Sequence, residues 1–357
     1  MIEADVAVVG GSFAGVSAAI MLARGRRRVV IIDEGATRNR YAHASHGFLG
    51  MDGAAPAAIR EKGLAEVLAY PTAQHLEGRV TAIRGEVGAF VLEGPEEVRA
   101  QRVILAFGQS DRLPEIPGIA ECWGKTVAQC PYCHGYELAD RTTGLLAWEA
   151  IPMHHSVHLA DWTDDLILLE NGVAVTPEEA AKLDRPGLRR QAGRVLRVHH
   201  SGGAIEAVEL EGGTRVDMRA LYLVTWQEPA SPLAEELGCE VVETRMGRHL
   251  KVDDHQRTTV PGVFAAGDLA RPFPSATQAA STGNRAGAAC HQWAAGPAVW
   301  CRGRQGGSRC CRSFAVSRAG SSSRLAPAGR HIIGRLRGRW ADRPPYLGFG
   351  LPVRHGH

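Results

Sequence analysis

Short apolar runs alternate with polar turns along the first part of the chain. Residues 5–9 form an apolar, β-branched run, and a glycine-rich turn follows it. Residues 16–25 then carry apolar side chains at the three- and four-residue spacing of a helix and end at a glycine. A second apolar run at 29–33 ends on an acidic residue. This order of strand, helix and strand predicts a parallel βαβ unit.

Three more strand-like runs lie at 79–83, 89–93 and 102–108. Their order predicts a small antiparallel meander and a strand that returns to the first sheet. Much later in the chain, residues 251–270 predict a strand that runs into a Gly-Asp turn, and residues 276–294 predict a helix of small residues. This last part is too short for a domain of its own, so we expect it to close the first domain.

The stretch 141–226 repeats the same plan. A strand at 143–148, a helix at 152–162 and a strand at 165–170 precede a second meander and a second return strand. Two similar halves predict an α/β fold class with two Rossmann-like three-layer dinucleotide-binding domains, the second inserted in the first.

The predicted domains follow from this order. A discontinuous first domain covers 1–112 and 250–295, and an inserted second domain covers 113–249. Residues 296–357 lie beyond both and show no sustained hydrophobic period. We expect this last segment to be a basic, low-complexity tail that is disordered or non-native.

The charge of the chain is unevenly distributed. Residues 296–357 contain twelve arginines and one acidic residue, although the whole chain has a formal charge of only +3. The preceding residues are therefore net acidic, and their charge predicts no binding of nucleic acid. A tail that binds nucleic acid or a membrane surface is the alternative interpretation of these arginines.

Composition narrows the class of protein. A chain of 357 residues with 45% hydrophobic and 22% charged residues can bury real cores. No apolar run reaches the roughly 18–20 residues that span a bilayer. Because the first residues lead straight into a strand, we expect no signal peptide, no membrane association and a cytoplasmic location, where structural disulfides are rare.

The turn GGSFAG (10–15) resembles a dinucleotide-binding fingerprint. That fingerprint has glycine at three places, of which Gly10 and Gly15 match the first and third, while Ser12 stands at the second. The turn opens a helix, whose N-terminus suits a pyrophosphate, and Asp33 at the end of the next strand would accept hydrogen bonds from ribose hydroxyls. A tight turn without a ligand is the alternative. The predicted binding residues of the turn are Gly10, Ser12, Phe13, Ala14 and Gly15.

Two cysteines, Cys130 and Cys133, stand three positions apart in CPYCHGYE (130–137). A Cys-x-x-Cys in a cytosolic βαβ protein predicts a redox pair, because the short spacing permits a disulfide and a nearby base can lower a thiol pKa. Half of a zinc site is the alternative. Residues 1–295 contain no second such pair and no well-spaced Cys/His pair, so no metal is predicted.

A third motif, PGVFAAGD (261–268), resembles the carboxyl-terminal FAD motif of flavoproteins that have two dinucleotide-binding domains. Together with GGSFAG and CPYCHGYE, the segments DEGATRNRYAHASHGFLG (33–50) and LPEIPGI (113–119) make residues 1–295 resemble a low-molecular-weight thioredoxin reductase-like flavoprotein. Such proteins are FAD-dependent pyridine nucleotide-disulfide oxidoreductases. The resemblance includes the branch that contains the dithiol oxidases of the gliotoxin and holomycin pathways.

The resemblance implies that the first domain binds FAD and that the inserted domain is NAD(P)-binding-like. Asp268 would bind the ribitol chain of the flavin. The helix that begins near residues 277–279 would direct its positive end toward the pyrimidine edge of the flavin. The other cofactor-binding residues implied by the resemblance are Asn39, His46, Val80, Ala106, Gly108, Gly267, Gln278 and Ala279.

The resemblance also implies how the redox pair works. Cys133 would lie against the flavin and receive its electrons, and Cys130 would attack the substrate disulfide. His134 stands where thioredoxin reductases commonly carry an aspartate, and it would act as the acid–base group near neutral pH. The implied partner is a thioredoxin-like protein or a small-molecule dithiol or disulfide, and the chain would form a homodimer.

The second half departs from the family pattern at its first turn. The segment AWEAIPM (147–153) contains no glycine, and Glu149 stands where backbone amides would cradle a pyrophosphate. Arg189 and Arg190 come too late to hold a 2′-phosphate, and we expect them on a solvated face. These features predict weak or absent NADPH binding. The alternatives to a reductase are an oxygen-dependent dithiol oxidase of small molecules and a non-catalytic, flavin-bound redox sensor.

Overall fold

A computed structural model describes residues 1–294 of the chain. The strands of these residues, in chain order, are β1 (Ile2–Val9), β2 (Val29–Asp33), β3 (Ala73–Glu77), β4 (Ala82–Arg84), β5 (Phe90–Glu93), β6 (Val98–Leu105), β7 (Gln109–Arg112), β8 (Val127–Ala128), β9 (Thr143–Leu146), β10 (Leu166–Leu169), β11 (Leu188–Gln191), β12 (Val195–Ser201), β13 (Ala204–Leu210), β14 (Arg215–Asp217), β15 (Ala220–Leu223), β16 (Trp226–Pro229), β17 (Val241–Thr244), β18 (Gly247–Leu250) and β19 (Val263–Ala265). The α-helices are α1 (Phe13–Arg24), α2 (Pro56–Leu68), α3 (Ile119–Cys122), α4 (Pro131–His134), α5 (Met153–His158), α6 (Pro177–Leu183), α7 (Leu233–Glu236) and α8 (Ala276–Ala294). Short 3₁₀ turns cover Arg38–Tyr41, Leu159–Asp161 and Gly267–Ala270.

The first sheet has seven strands in the order β3-β2-β1-β6-β5-β4, with β19 also paired to β6. Strands β1, β2, β3, β6 and β19 pair in parallel, whereas β4, β5 and the start of β6 pair antiparallel. Strand β6 therefore serves both as the last strand of the meander and as the return strand. It starts earlier and ends earlier than the predicted run 102–108. The strand predicted over 79–83 is shorter and shifted toward the C-terminus, to Ala82–Arg84.

Both faces of this sheet are covered by apolar residues. Side chains alternate along β1, so that Val6 and Val8 face α1 and α8, while Ala7 and Val9 face the opposite core. Helix α8 packs closely on α1, because a Cβ atom at Gly283 would lie 2.1 Å from the carbonyl oxygen of Ala14. The small residues of α8 are thus required by its contact with the helix that follows the glycine-rich turn.

The second sheet has the order β11-β10-β9-β15-β8, and all of its pairs are parallel. Every residue of β9, β10 and β15 is buried, as expected for a parallel sheet that is covered on both faces. The antiparallel sheet β12-β13-β14 supplies one cover. Two sheets, one with five parallel strands and one wholly parallel, confirm the predicted α/β class with two Rossmann-like halves.

A mixed sheet of order β17-β18-β16-β7 lies at the passage between the two halves. The chain leaves the first sheet through β7 and returns through β16, and these two strands pair antiparallel. Strand β19 and helix α8 then complete the first half, as an insertion requires. The predicted boundaries at 112 and 250 stay predictions, and the predicted tail 296–357 lies outside the described residues.

Helix content differs from the sequence prediction in the second half. The helix predicted over 152–162 is reduced to the six residues of α5 and a 3₁₀ turn, whereas α8 matches the predicted range 276–294. Among residues 1–294, none of the helices combines the length and apolarity needed to cross a membrane.

Candidate functional site

The glycine-rich turn between β1 and α1 has no room for larger side chains at two positions. Gly10 has a φ of +103°, and a Cβ atom there would lie 2.4 Å from the carbonyl oxygen of Ala106. A Cβ atom at Gly15 would lie 1.8 Å from the carbonyl oxygen of Gly10. Ser12 precedes α1 and its side chain makes no capping hydrogen bond, so the first amides of α1 are free to bind an anion. The turn fits a pyrophosphate.

Asp33 lies at the end of β2 and is 9% exposed. Its carboxylate is close to the turn, since a Cβ atom at Gly11 would lie 3.0 Å from Asp33 Oδ2. Arg60 of α2 forms an ion pair with Asp33, and its Nε donates to the carbonyl oxygen of Gly11 at 3.0 Å. Nothing in the sequence around Arg60 indicates this role, because an isolated arginine in the middle of a helix belongs to no recognisable motif.

The Gly267-Asp268 turn brings three predicted residues together. A Cβ atom at Gly267 would lie 2.9 Å from the Cβ atom of Ala14 and 3.8 Å from the Cβ atom of Ala279. The hydroxyl of Thr282 accepts a hydrogen bond from the amide of Gly267 at 2.9 Å. The turn is therefore clamped between the starts of α1 and α8.

Asp268 is held by an arginine that the motifs did not indicate. Nη1 of Arg38 donates to Oδ2 of Asp268 at 3.0 Å, and Nε of Arg38 donates to Oδ2 of Asp111 at 2.7 Å. Burial raises the pKa of Asp268, and the Arg38 guanidinium opposes that shift. Burial by itself would lower the pKa of Arg38, but the two carboxylates outweigh it and the net shift is upward. Asn39 follows Arg38 in the same 3₁₀ turn.

The two cysteines of CPYCHGYE form a disulfide whose Cα atoms are 5.3 Å apart. Cys130 stands at the N-cap of α4, and Cys133 lies within this four-residue helix. The ring of Tyr132 packs edge-on against Trp162, with 5.5 Å between the ring centroids. Across residues 1–294, no three His, Cys, Asp or Glu side chains come together in a way that would hold a metal ion.

The loop around His46 joins the disulfide segment to helix α8. Nε2 of His46 lies 3.3 Å from Oε1 of Glu137, at the end of CPYCHGYE. On the other side, the Thr277 hydroxyl donates to the carbonyl oxygen of Gly47 at 3.1 Å. The structure thus brings three predicted segments together: the redox motif, the His46 loop and the start of α8.

The remaining predicted residues occupy different environments. Val80 and Ala106 are buried on opposite faces of the first sheet, and Gln278 is exposed on the first turn of α8. Gly108 has open space where a Cβ atom would stand. Of these residues, Ala106 directly contacts the glycine-rich turn at Gly10, and no contact described here joins Val80 to the other predicted residues.

His134 directly follows Cys133 at the end of α4. Its Nδ1 atom is buried and has no hydrogen-bond partner among the described residues. Burial lowers the pKa of His134, while contact with the backbone of Gly124 and the charge of Glu137 oppose this shift. The neutral imidazole is therefore the favoured form at neutral pH, and this form can take a proton from a thiol.

Two partly buried histidines are expected to make folding sensitive to acid. Burial lowers the pKa of both His134 and His155 below the ordinary value of 6.5. Above 6.5 both the folded and unfolded states are neutral, but below it the unfolded state takes up protons first. We expect the free energy of unfolding to fall from pH 7.5 to pH 5, by at most about 1.4 kcal/mol per pH unit for each histidine. Urea titrations at several pH values measure this.

His134→Asn should reduce the acid sensitivity, and substitution of the exposed His43 by Asn is the matched control, which should leave the slope unchanged. A slope that is identical in wild type and His134→Asn would contradict the expected contribution of His134.

The corresponding turn of the second half does not fit a pyrophosphate. After β9, Trp148 and Ala150 form an isolated bridge around Glu149, whose φ is +65°. Arg112 forms an ion pair with Glu149 and lies over the Trp148 ring, 5.6 Å from its centroid. Side chains thus occupy the place where backbone amides would face a phosphate.

Arg189 and Arg190 both pair with acidic residues of the second half, so neither is free to bind a 2′-phosphate. Arg189 and Arg190 lie in strand β11 and not on a loop or helix face. Arg189 pairs with Asp165, and Nε of Arg190 donates to Glu170 at 2.8 Å. Among the described residues, the second half accordingly lacks a glycine cradle after its first strand, and neither Arg189 nor Arg190 is free. Arg194 is exposed and lies beside Gly172, just after the second strand, with its Nε 3.4 Å from where a Cβ atom of Gly172 would stand.

Comparison with known proteins agrees with the fold and the motifs. Residues 4–283 match the family model of the pyridine nucleotide-disulphide oxidoreductases. The chain is 30% identical over 297 residues to the thioredoxin reductase tcpT of Claviceps purpurea, covering 79% of this chain and 92% of that protein. It is 28% identical over 302 residues to the thioredoxin reductase sirT of Leptosphaeria maculans, with the same coverage of 79% and 92%.

Solved structures give the same result. An oxidoreductase from Agrobacterium tumefaciens has a TM-score of 0.79 and 38% identity, over 83% of this chain and 100% of that chain. The protein HlmI has a TM-score of 0.75 and 35% identity, over 81% and 91%. The putative thioredoxin reductase TrxB of Bacillus anthracis has a TM-score of 0.76 and 29% identity, over 82% and 98%.

Proposed function

The chain belongs to the pyridine nucleotide-disulphide oxidoreductase family and is a thioredoxin reductase-like disulfide oxidoreductase, and from this premise we propose that it is FAD-dependent and works through Cys130–Cys133. One observation carries the proposal. The disulfide segment contacts the His46 loop, and this loop contacts the start of α8, which flanks the Gly267-Asp268 turn. These contacts support a redox disulfide that works at the edge of a dinucleotide site.

The residues that would hold FAD come from three places. The glycine-rich turn and the first amides of α1 suit the pyrophosphate, Asp33 suits the ribose hydroxyls, and Asp268 suits the ribitol chain. Helix α8 has 19 residues, and its N-terminus, the positive end of the helix dipole, lies next to this site. The chemistry that FAD supplies when bound is two-electron transfer to or from the cysteine pair.

The disulfide exchange itself uses this chain's own residues. A substrate thiolate attacks the Sγ atom of Cys130, the Cys130–Cys133 bond breaks, and Cys133 leaves as a thiolate. The second substrate thiol then attacks the mixed disulfide, which releases substrate disulfide and the reduced pair. His134 takes up the proton that the attacking thiol loses. The same steps in reverse open a substrate disulfide.

A second candidate direction is an oxygen-dependent dithiol oxidase. The filled turn at Trp148 and Glu149 favours it, because a chain that binds no nicotinamide must obtain electrons elsewhere. A substrate dithiol then gives up two electrons and two protons, and oxygen accepts them to become hydrogen peroxide. The substrate is a small-molecule dithiol in this direction, and a thioredoxin-like protein or small disulfide in the reductase direction.

The rate at which each reductant bleaches the flavin identifies the electron donor. We expect dithiothreitol to bleach the FAD-loaded protein at least about a hundredfold faster than NADPH, because Glu149 and Trp148 occupy the phosphate position. Anaerobic stopped-flow absorbance measures both rates, and peroxide formation in air measures the acceptor. Bleaching by NADPH at the rate of the dithiol would contradict the oxidase direction and establish the reductase direction.

We also propose that the chain acts as a homodimer in the cytoplasm. The likeness to thioredoxin reductases over most of the chain supports this. Light scattering of the FAD-loaded protein measures the mass, and a monomeric mass would contradict the dimer.

A further inference from the structure

Five polar side chains from separate segments form one continuous path across the described structure. In order, the path consists of Asp268, Arg38, Asp111, Thr225 and Gln129. One end is the carboxylate next to the proposed cofactor site, and the other end is the residue directly before Cys130. The path therefore joins the two partners of the proposed electron transfer.

Each link is within hydrogen-bond distance. Arg38 bridges the two carboxylates, at 3.0 Å to Asp268 Oδ2 and 2.7 Å to Asp111 Oδ2. The Thr225 hydroxyl donates to Asp111 Oδ1 at 2.7 Å, and its oxygen lies 2.8 Å from Oε1 of Gln129. Because the hydroxyl carries one proton, this last contact is a hydrogen bond when the amide directs its NH₂ group at Thr225.

The middle residues of the path are largely shielded from solvent. The side chains of Arg38 and Asp111 are 18% and 8% exposed, and Thr225 is 1% exposed. Water and salt screen such groups weakly, so their hydrogen bonds are strong and their loss leaves buried polar atoms without partners. A path of this kind holds its members in one arrangement.

Gln129 is held from a second side as well. Nε2 of His155, in α5, donates to the backbone carbonyl oxygen of Gln129 at 2.7 Å. Helix α5 follows the filled turn of the second half. The side chain of Gln129 is thus tied toward the cofactor half and its backbone is tied to the inserted half, so the position of Cys130 depends on both.

The path crosses the connection between the two halves. Only β7 and β16 carry the described chain between the two parallel sheets, and Asp111 lies in β7 while Thr225 directly precedes β16. Two strands alone can bend as a hinge. Arg38 comes from the first half and fixes both crossing strands through Asp111.

We propose that Arg38 is a positioning residue for the redox pair: through Asp111 and Thr225 it holds the Gln129–Cys133 segment in register with Asp268. This rests on the proposed FAD-dependent function. The side-chain hydrogen bonds of Arg38 go to Asp111 and Asp268 and not to the disulfide. Arg38 acts through the orientation of the segment that carries Cys130.

Thr225→Val tests the proposal, since it removes the hydroxyl and leaves both contacts of Arg38 in place. In the FAD-loaded full chain, we expect amide hydrogen exchange of residues 127–134 to rise roughly tenfold and flavin bleaching by dithiothreitol to slow roughly tenfold to hundredfold. The affinity for FAD should not change. Thr225→Ser keeps the hydroxyl and should restore both values.

Thr142→Val is the matched control. The Thr142 hydroxyl donates to Oδ2 of Asp165 at 2.7 Å, the same kind of bond at a site outside the path. We expect exchange of residues 127–134 and the bleaching rate to stay at the wild-type values in this variant. Arg38→Lys, which keeps the charge but loses the two-sided contact, should raise exchange and slow bleaching as Thr225→Val does, and Arg190→Lys is its control.

The proposal is overturned if Thr225→Val and Thr142→Val have the same amide hydrogen-exchange rates at residues 127–134 and the same rate of flavin bleaching. If Thr225→Val does not fold, Gln129→Met carries the same expectation and the same contrary outcome. Failure of the proposed FAD-dependent function can be told apart from failure of the positioning role, because in the first case the wild-type protein would bind no FAD. Hydrogen exchange of the unloaded chain then still decides whether the path orders residues 127–134.

Discussion

Substitution of Cys133 by serine is expected to lower turnover with dithiols or disulfides by at least about a thousandfold, because the pair acts as a unit and serine cannot form or open the disulfide. Cys130→Ser should lower turnover equally. Steady-state oxidation of dithiothreitol in air and stopped-flow bleaching of the flavin measure the two halves of the reaction. Bleaching should be lost together with turnover.

Cys239→Ala is the matched control for these variants. Cys239 is a free, buried cysteine in the core of the first sheet, and its sulfur lies 3.6 Å from the Thr258 hydroxyl. Its removal should leave turnover unchanged. Turnover by Cys133→Ser within tenfold of wild type would contradict a disulfide-exchange mechanism, and repeated turnover by the wild type would exclude the flavin-bound sensor.

Substitution of Gly10 by alanine is expected to abolish FAD binding. The added Cβ atom would lie 2.4 Å from the carbonyl oxygen of Ala106, at a φ of +103°. Steric overlap and the left-handed backbone together cost about 3 kcal/mol or more. If this cost opposes FAD binding, the affinity for FAD falls at least about a hundredfold. Flavin fluorescence titration measures the affinity, and thermal melting measures the stability.

Gly213→Ala separates the two causes. Gly213 also has a positive φ, +83°, but a Cβ atom there would meet nothing within 4 Å. It should lose roughly 1–2 kcal/mol of stability from the backbone alone and keep its affinity for FAD. Equal loss of FAD binding in both variants would show that the turn at Gly10 does not form the cofactor site.

The glycine-rich turn and the Cys-x-x-Cys pair were predictable because each depends on short spacing. Gly10 and Gly15 stand close in sequence, and their shared steric requirement follows from the strand and helix that flank them. The disulfide likewise joins the N-cap position 130 to position 133 of one short helix. Local patterns of this kind carry their own geometry.

The partners of the acidic residues were not predictable in the same way. Arg38 lies 230 residues before Asp268, and Arg60 lies 27 residues after Asp33. Arg38 lies in the segment 33–50 that carries the resemblance, but its spacing there does not identify Asp268 as its partner, and Arg60 lies in none of the motifs. The pairs exist because β19 returns to β6 and because α2 packs beside α1.

By itself, the sequence determined the first βαβ unit, the repeat of its plan in the second half, helix α8, the two glycine turns, the redox pair and the absence of glycine in the second turn. These features depend on side-chain size and on periods of two to four residues, which are visible along the chain. Only the tertiary structure decided that Arg38 bridges Asp268 and Asp111 and that Arg112 and Trp148 surround Glu149. Such contacts form between segments far apart in the chain, where packing of whole sheets and helices, and not local spacing, sets which charges meet.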